Sequence, residues 1–174
     1  MLQKPIQASL LAAGAEAHNF TRLPRGPERL IGMGFRCWLA GFQSGDIQCW
    51  ELAWKHYAEE LGAQCAKTIV SDLSVWVRAV RNAAAREIEV YPAGCSGFCR
   101  DECMAIAMVA AAQQNACPAL KACAFALLET DELDDVVDMT STFANTLQTE
   151  GIVLSANSLA LSPAIDPGMR SQPH

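Results

Sequence analysis

Aromatic and charged side chains are both scarce in this sequence, at 7% and 18% of its 174 residues. No run of it reaches the roughly 18 consecutive apolar residues that a membrane-spanning helix needs. Few aromatics together with a 51% hydrophobic, conspicuously alanine-rich composition disfavour a β-sandwich and suit tightly packed helices. Bases are outnumbered, thirteen against nineteen acids, and the resulting net charge of −6 opposes a phosphate backbone, so nucleic acid is not an expected partner. A GxxxxGKS/T phosphate loop, a GxGxxG dinucleotide turn and a GxSxG nucleophile elbow are all missing. None of the three histidines follows a Glu by three positions, which disfavours a ferritin-like di-iron centre. The acidic run Asp131, Glu132, Asp134, Asp135 and Asp138 lacks the glycine and spacing of an EF-hand loop and reads as solvated surface.

Near the N-terminus, Lys4 and the apolar residues from Ile6 to Ala13 faintly echo a signal peptide, but Gln7 and Ser9 interrupt the run. Eight cysteines in 174 residues fall short of a disulfide scaffold. The expectation is a soluble, cytoplasmic protein with reduced thiols.

Five of those cysteines, Cys95, Cys99, Cys103, Cys117 and Cys123, lie within residues 91–125. Pro92, Gly94 and Gly97 predict irregular backbone that delivers Cys95, followed by a helix starting near Ser96 with Ser96 as N-cap. Cys99 then sits close to a helix N-terminus with Arg100 beside it, a setting that lowers a thiol pKa. Cys99 and Cys103 share a helical face, about 6 Å apart along the axis, and a loop-borne Cys95 can join them. A zinc or iron–sulfur site on Cys95, Cys99 and Cys103 therefore fits the spacing, with a fourth ligand from elsewhere, although CxxxCxxxC is not the paired CxxC of common zinc or ferredoxin motifs. Cys99 is the candidate redox thiol, and a thiol enzyme would need it as nucleophile with His56 as base. The plainest reading is that these cysteines are small hydrophobes on an alanine-rich helix.

Hydrophobic periodicity organises the rest. Ile31, Phe35, Trp38 and Phe42 mark a helix from Pro27, and Asp46 caps a second whose Ile47, Trp50, Trp54, Tyr57 and Leu61 share a face. Trp38, Trp50 and Trp54 are expected to meet across this hairpin as core. The longest helix follows Gly62, with Cys65 or Ala66, Ile69, Val70, Leu73, Trp76, Val77, Val80 and Ala84 at helical spacing, and presents Lys67, Asp72, Arg78, Arg81 and Arg86 to solvent. Pro118 starts a short helix through Leu128, and Thr130 or Asp131 caps a last one using Leu133, Val136 or Val137, Thr140, Phe143 and Leu147.

The sequence thus predicts an all-α, single-domain bundle of five or six helices over residues 27–150, with a flexible arm at 1–26 and a disordered tail at 151–174. Three functional readings stay open: a noncatalytic regulatory or interaction domain with a protein partner or homo-oligomer, a cysteine-based metal, cluster or redox-sensing protein, and a thiol enzyme. The first is preferred. It expects buried, separated thiols and an exposed apolar patch.

Overall fold

Pro27 supplies the fixed φ of a first helical turn, and from it runs α1, Pro27–Ser44, in a computed structural model that describes residues 26–161. Gly45 in the left-handed region ends it, and the Asp46 carboxylate accepts from Gln48 N to begin α2, Ile47–Leu61. After Gly62 comes α3, Ala63–Ala83, the longest helix at 21 residues. A sixteen-residue strap then leads to α4, Arg100–Gln113, followed by α5, Cys117–Leu128, and α6, Asp134–Thr149. A 3-10 helix, Ala156–Leu161, completes a single all-α bundle with no strand among the described residues. The arm at 1–25 and the residues beyond 161 lie outside the described residues.

At the centre is α4. Its unbroken apolar run from Met104 to Ala111 is wholly buried, because α1, α5, α6 and the 3-10 helix all pack on it. A helix that is apolar all round can only be stable inside. Small residues let neighbours close in elsewhere: a Cβ on Gly34 would overlap the Tyr57 ring and hydroxyl, and one on Gly41 would overlap Trp50. Thus α1 and α2 touch at the glycines of one and the aromatics of the other. On the far side of α3, Trp76 stacks on Phe143 at 5.0 Å and donates to Thr140 Oγ1 at 2.9 Å, locking α3 to α6.

Four expectations need correction. Trp54 does not join the core: Trp38 and Trp50 pair at 6.0 Å and Phe42 and Trp50 at 5.5 Å, while Trp54 is 40% exposed and Ile47 61%. Helix α4 starts three to four residues later than expected, with Cys99 instead of Ser96 as its N-cap, because the Glu102 side chain reaches back to accept from Cys99 N at 2.7 Å. Arg86 does not lie on α3, which ends at Ala83. Residues 151–161 are not a loose tail. Ile152 and Leu154 are buried, and Gln113 of α4 holds them by donating to Ile152 O at 2.9 Å and accepting from Leu154 N at 2.8 Å. Further on, Ser155 and Ser158 donate to the buried Glu28 carboxylate in the first turn of α1. Burial pushes the Glu28 pKa up, but the hydrogen bonds from Ser158 and Ser155 outweigh it and hold it below the usual carboxylate value.

Candidate functional site

Sixteen residues between α3 and α4 without regular structure are long for a connection inside a packed domain, and such segments need side chains to hold them. Two ion pairs do so. Arg36, the only charge between Arg29 and Asp46, is 1% exposed and reaches from α1 to Glu102, which is fully buried, with Nε to Oε1 at 2.5 Å and Nη2 to Oε2 at 3.1 Å. The remaining guanidinium hydrogens go to the strap, to Cys95 O at 2.9 Å, Gly97 O at 2.5 Å and Pro92 O at 3.4 Å. The Phe98 ring lies against the same guanidinium, 5.1 Å from Cζ to centroid. Glu102 also accepts from Tyr91 N and Cys99 N. The second pair is bidentate, with both Arg86 Nη atoms 2.7 Å from the Asp101 oxygens. Asp101 accepts in addition from Glu89 N at 2.9 Å, and Arg86 Nε faces Glu129 Oε1 at 3.2 Å without hydrogen-bond alignment.

This cage decides where the thiols go. Cys95 is half-buried in the strap, its N donating to Pro92 O at 2.9 Å. Cys99 Sγ donates to Glu89 O at 3.1 Å, whereas Cys103 Sγ lies 4.0 Å from Phe98 O. The sulfurs thus turn to different backbone carbonyls, and among the described residues no three His, Cys, Asp or Glu side chains are grouped as metal ligands would be. Cys117 is exposed and Cys123 buried.

The lowered thiol pKa expected of a helix N-terminus is reversed. Burial pushes Cys99 up to about 12 and the Glu102 charge adds to the rise, against the lowering by the Glu102 and Asp101 N–H groups. Burial and the same carboxylate bring Cys103 to about 11. His56, the base a thiol nucleophile would need, is not beside Cys99: the two line separate cavities, Cys99 with Gln43 and residues 87–91, His56 with Arg29 and Ile152. The Arg36–Glu102 pair escaped the sequence reading, although a lone charge inside the apolar stretch from Leu30 to Phe42 is the signal that marks it.

Two further surfaces stand out. A groove of about 820 Å³ separates α3 from the start of α6, with Val75, Ala79 and Ala83 on one wall and Asp131, Asp134, Asp135 and Asp138 on the other. On α2, Ile47 and Trp54 are two turns apart, and 700° of rotation puts them within about 20° of each other on the outer face. Leu52, 42% exposed, lies about 140–160° round the helix from them.

Fold and site together define an all-α domain with a charge-locked strap and a partly apolar outer helix. No family model, curated protein or solved structure matches the chain. No helix among the described residues is long and apolar enough to cross a membrane.

Proposed function

We propose that this chain is a noncatalytic interaction domain whose contact face is the outer side of α2, used to bind a protein partner or a second copy. The observation that carries this reading is the ridge of Ile47 and Trp54, solvent-exposed and aligned on a helix that buries only Ala53 and Tyr57. Tryptophan on an exposed apolar ridge is the residue type that dominates interface energetics. The polar groups of the strap support the same reading, since Arg36, Glu102, Arg86 and Asp101 are engaged in holding backbone and the Cys99 and Cys103 thiols are kept protonated. The net charge of −6 argues for a protein partner over nucleic acid, and eight cysteines, short of a disulfide scaffold, suit the reducing cytoplasm.

A photo-crosslinking amino acid at position 54, introduced in living cells, tests it. The expected result is a discrete adduct with a partner or with a second copy, abolished when Ile47→Arg accompanies it and absent when the probe sits at exposed Val153. A chain that gives no adduct from position 54, and that sediments as a monomer at every concentration, overturns the reading.

A further inference from the structure

Of the six helices, α2 buries the smallest share of its residues: Ala53 and Tyr57 out of fifteen, against ten of eighteen in α1 and twelve of fourteen in α4. The side-chain hydrogen bond that ties it to α1 runs from Trp50 Nε1 to Trp38 O at 3.2 Å, and its ion pair, Lys55 with Glu59, stays within the helix. Two polar atoms of α2, His56 Nε2 and the Tyr57 hydroxyl oxygen, are buried beyond the reach of water and have no hydrogen-bond partner among the described residues. Stranding such atoms disfavours the closed arrangement against any in which water reaches them. Glycines bound the helix on both sides, Gly45 at φ 73° and Gly62 at φ 80°, and each has open space where a Cβ would stand, so the backbone can turn there without a clash.

What α2 covers is a thiol. Gly34 and Gly41 of α1 lie against Tyr57 and Trp50, and Cys37 falls between them, within about 60° of the same helical face. Cys37 is 3% exposed. Charge on Cys49 of α2 raises the Cys37 pKa, and charge on Cys37 raises that of Tyr57, as expected of close neighbours. We infer that α2 is a gate: it comes away from α1 and α3 as one unit while the other helices stay folded, and so admits solvent to Cys37. Opening hydrates His56 and Tyr57 and gives up the burial of Ala53, Tyr57 and part of Trp50, a far smaller loss than parting α4 from its neighbours. The gate depends on the inner side of α2, so its failure would leave the contact face proposed for Ile47 and Trp54 untouched.

Alkylation of the native full chain at pH 8, over a series of urea concentrations below the unfolding transition and read cysteine by cysteine by mass spectrometry, tests it. Cys103 is the reference, because it lies on the central helix, is 5% exposed, and is raised by burial to about 11, as Cys37 is. Cys37 should be labelled at least about tenfold faster than Cys103, at a rate that climbs less steeply with urea, since a local opening exposes less surface than unfolding does. Tyr57→Phe removes the stranded hydroxyl, keeps the ring, and should slow Cys37 labelling about fivefold or more. Labelling of Cys37 no faster than that of Cys103, or with the same urea dependence, would overturn the gate, for α2 would then part only with the whole fold. So would Cys37 labelling that Tyr57→Phe leaves unchanged, since the thiol would then be reached by a route that does not pass α2.

Discussion

Arg36→Met removes the guanidinium that joins α1, the strap and α4 while keeping a side chain of similar length. Glu102, with no exposed surface, would be left as an uncompensated buried charge, and the carbonyls of Pro92, Cys95 and Gly97 would lose their donor. Breaking a buried pair from one side costs about 3–5 kcal/mol, against a total stability of about 5–15 kcal/mol for a domain of this size. At a urea slope near 2 kcal/mol/M, the unfolding midpoint should fall by roughly 2 M. Arg36→Met/Glu102→Met removes the stranded charge and should recover about half of the loss, giving a favourable coupling in the double-mutant cycle. The strap should stay loose in both variants, because the three carbonyls remain unpaired, and its amides at Tyr91 and Cys99 should exchange faster with deuterium. A single variant that loses less than about 1 kcal/mol, or strap amides that keep their protection, would refute the claim that this pair holds the segment.

Gly34→Ala sets helix propensity against packing. Propensity alone favours alanine by about 1 kcal/mol, but the new methyl would overlap the fully buried Tyr57, so net destabilisation of about 1–2 kcal/mol is expected in urea unfolding, and a neutral result would show that α1 and α2 can part. Alkylation followed by mass spectrometry at pH 8 should label exposed Cys117 first, and Cys99 should react about a thousandfold more slowly than an ordinary thiol, since a pKa of about 12 leaves on the order of one thiolate in ten thousand. The Glu28 pKa is lowered from the usual carboxylate value, so its contribution to stability is complete above the unfolded pKa and is lost as pH falls through the lower folded value. Acid unfolding followed by circular dichroism should therefore be less pH-dependent below about pH 4.5 in Glu28→Gln than in the parent chain.

Where periodicity is the signal, the sequence reading agrees with the structure: the stripe from Ala66 to Val80 forms α3, and Pro27, Asp46 and Pro118 mark helix starts within a residue. Misreadings occur where a long-range contact outranks a local one. Trp54 shares a helical face with Trp50 in projection, yet α2 lies at the edge of the bundle, where α1 and α3 cover only a narrow arc of it. Ser96 is a good cap in isolation, but Glu102 is held by Arg36 from sixty-six residues away and so fixes Cys99 as the cap. Ile152 and Leu154 carry no helical period, and what retains them is a glutamine on α4, invisible to any local pattern. The thiol segment was conspicuous in sequence, and the structure places its sulfurs against separate carbonyls.

One consequence follows from the way α4 is fixed. Its middle consists of Met, Ala, Ile and Val, with nothing there to tell one rotation of the helix from another, while its ends carry Asp101 and Glu102 on one side and Gln113 on the other. The helix works like an axle indexed by keys at both ends. Volume-conserving exchange among the middle residues should drift freely over evolutionary time, whereas a change at either key would have to be matched by a change in a distant segment, so that this fold varies by coordinated pairs at its ends and by single steps in its centre.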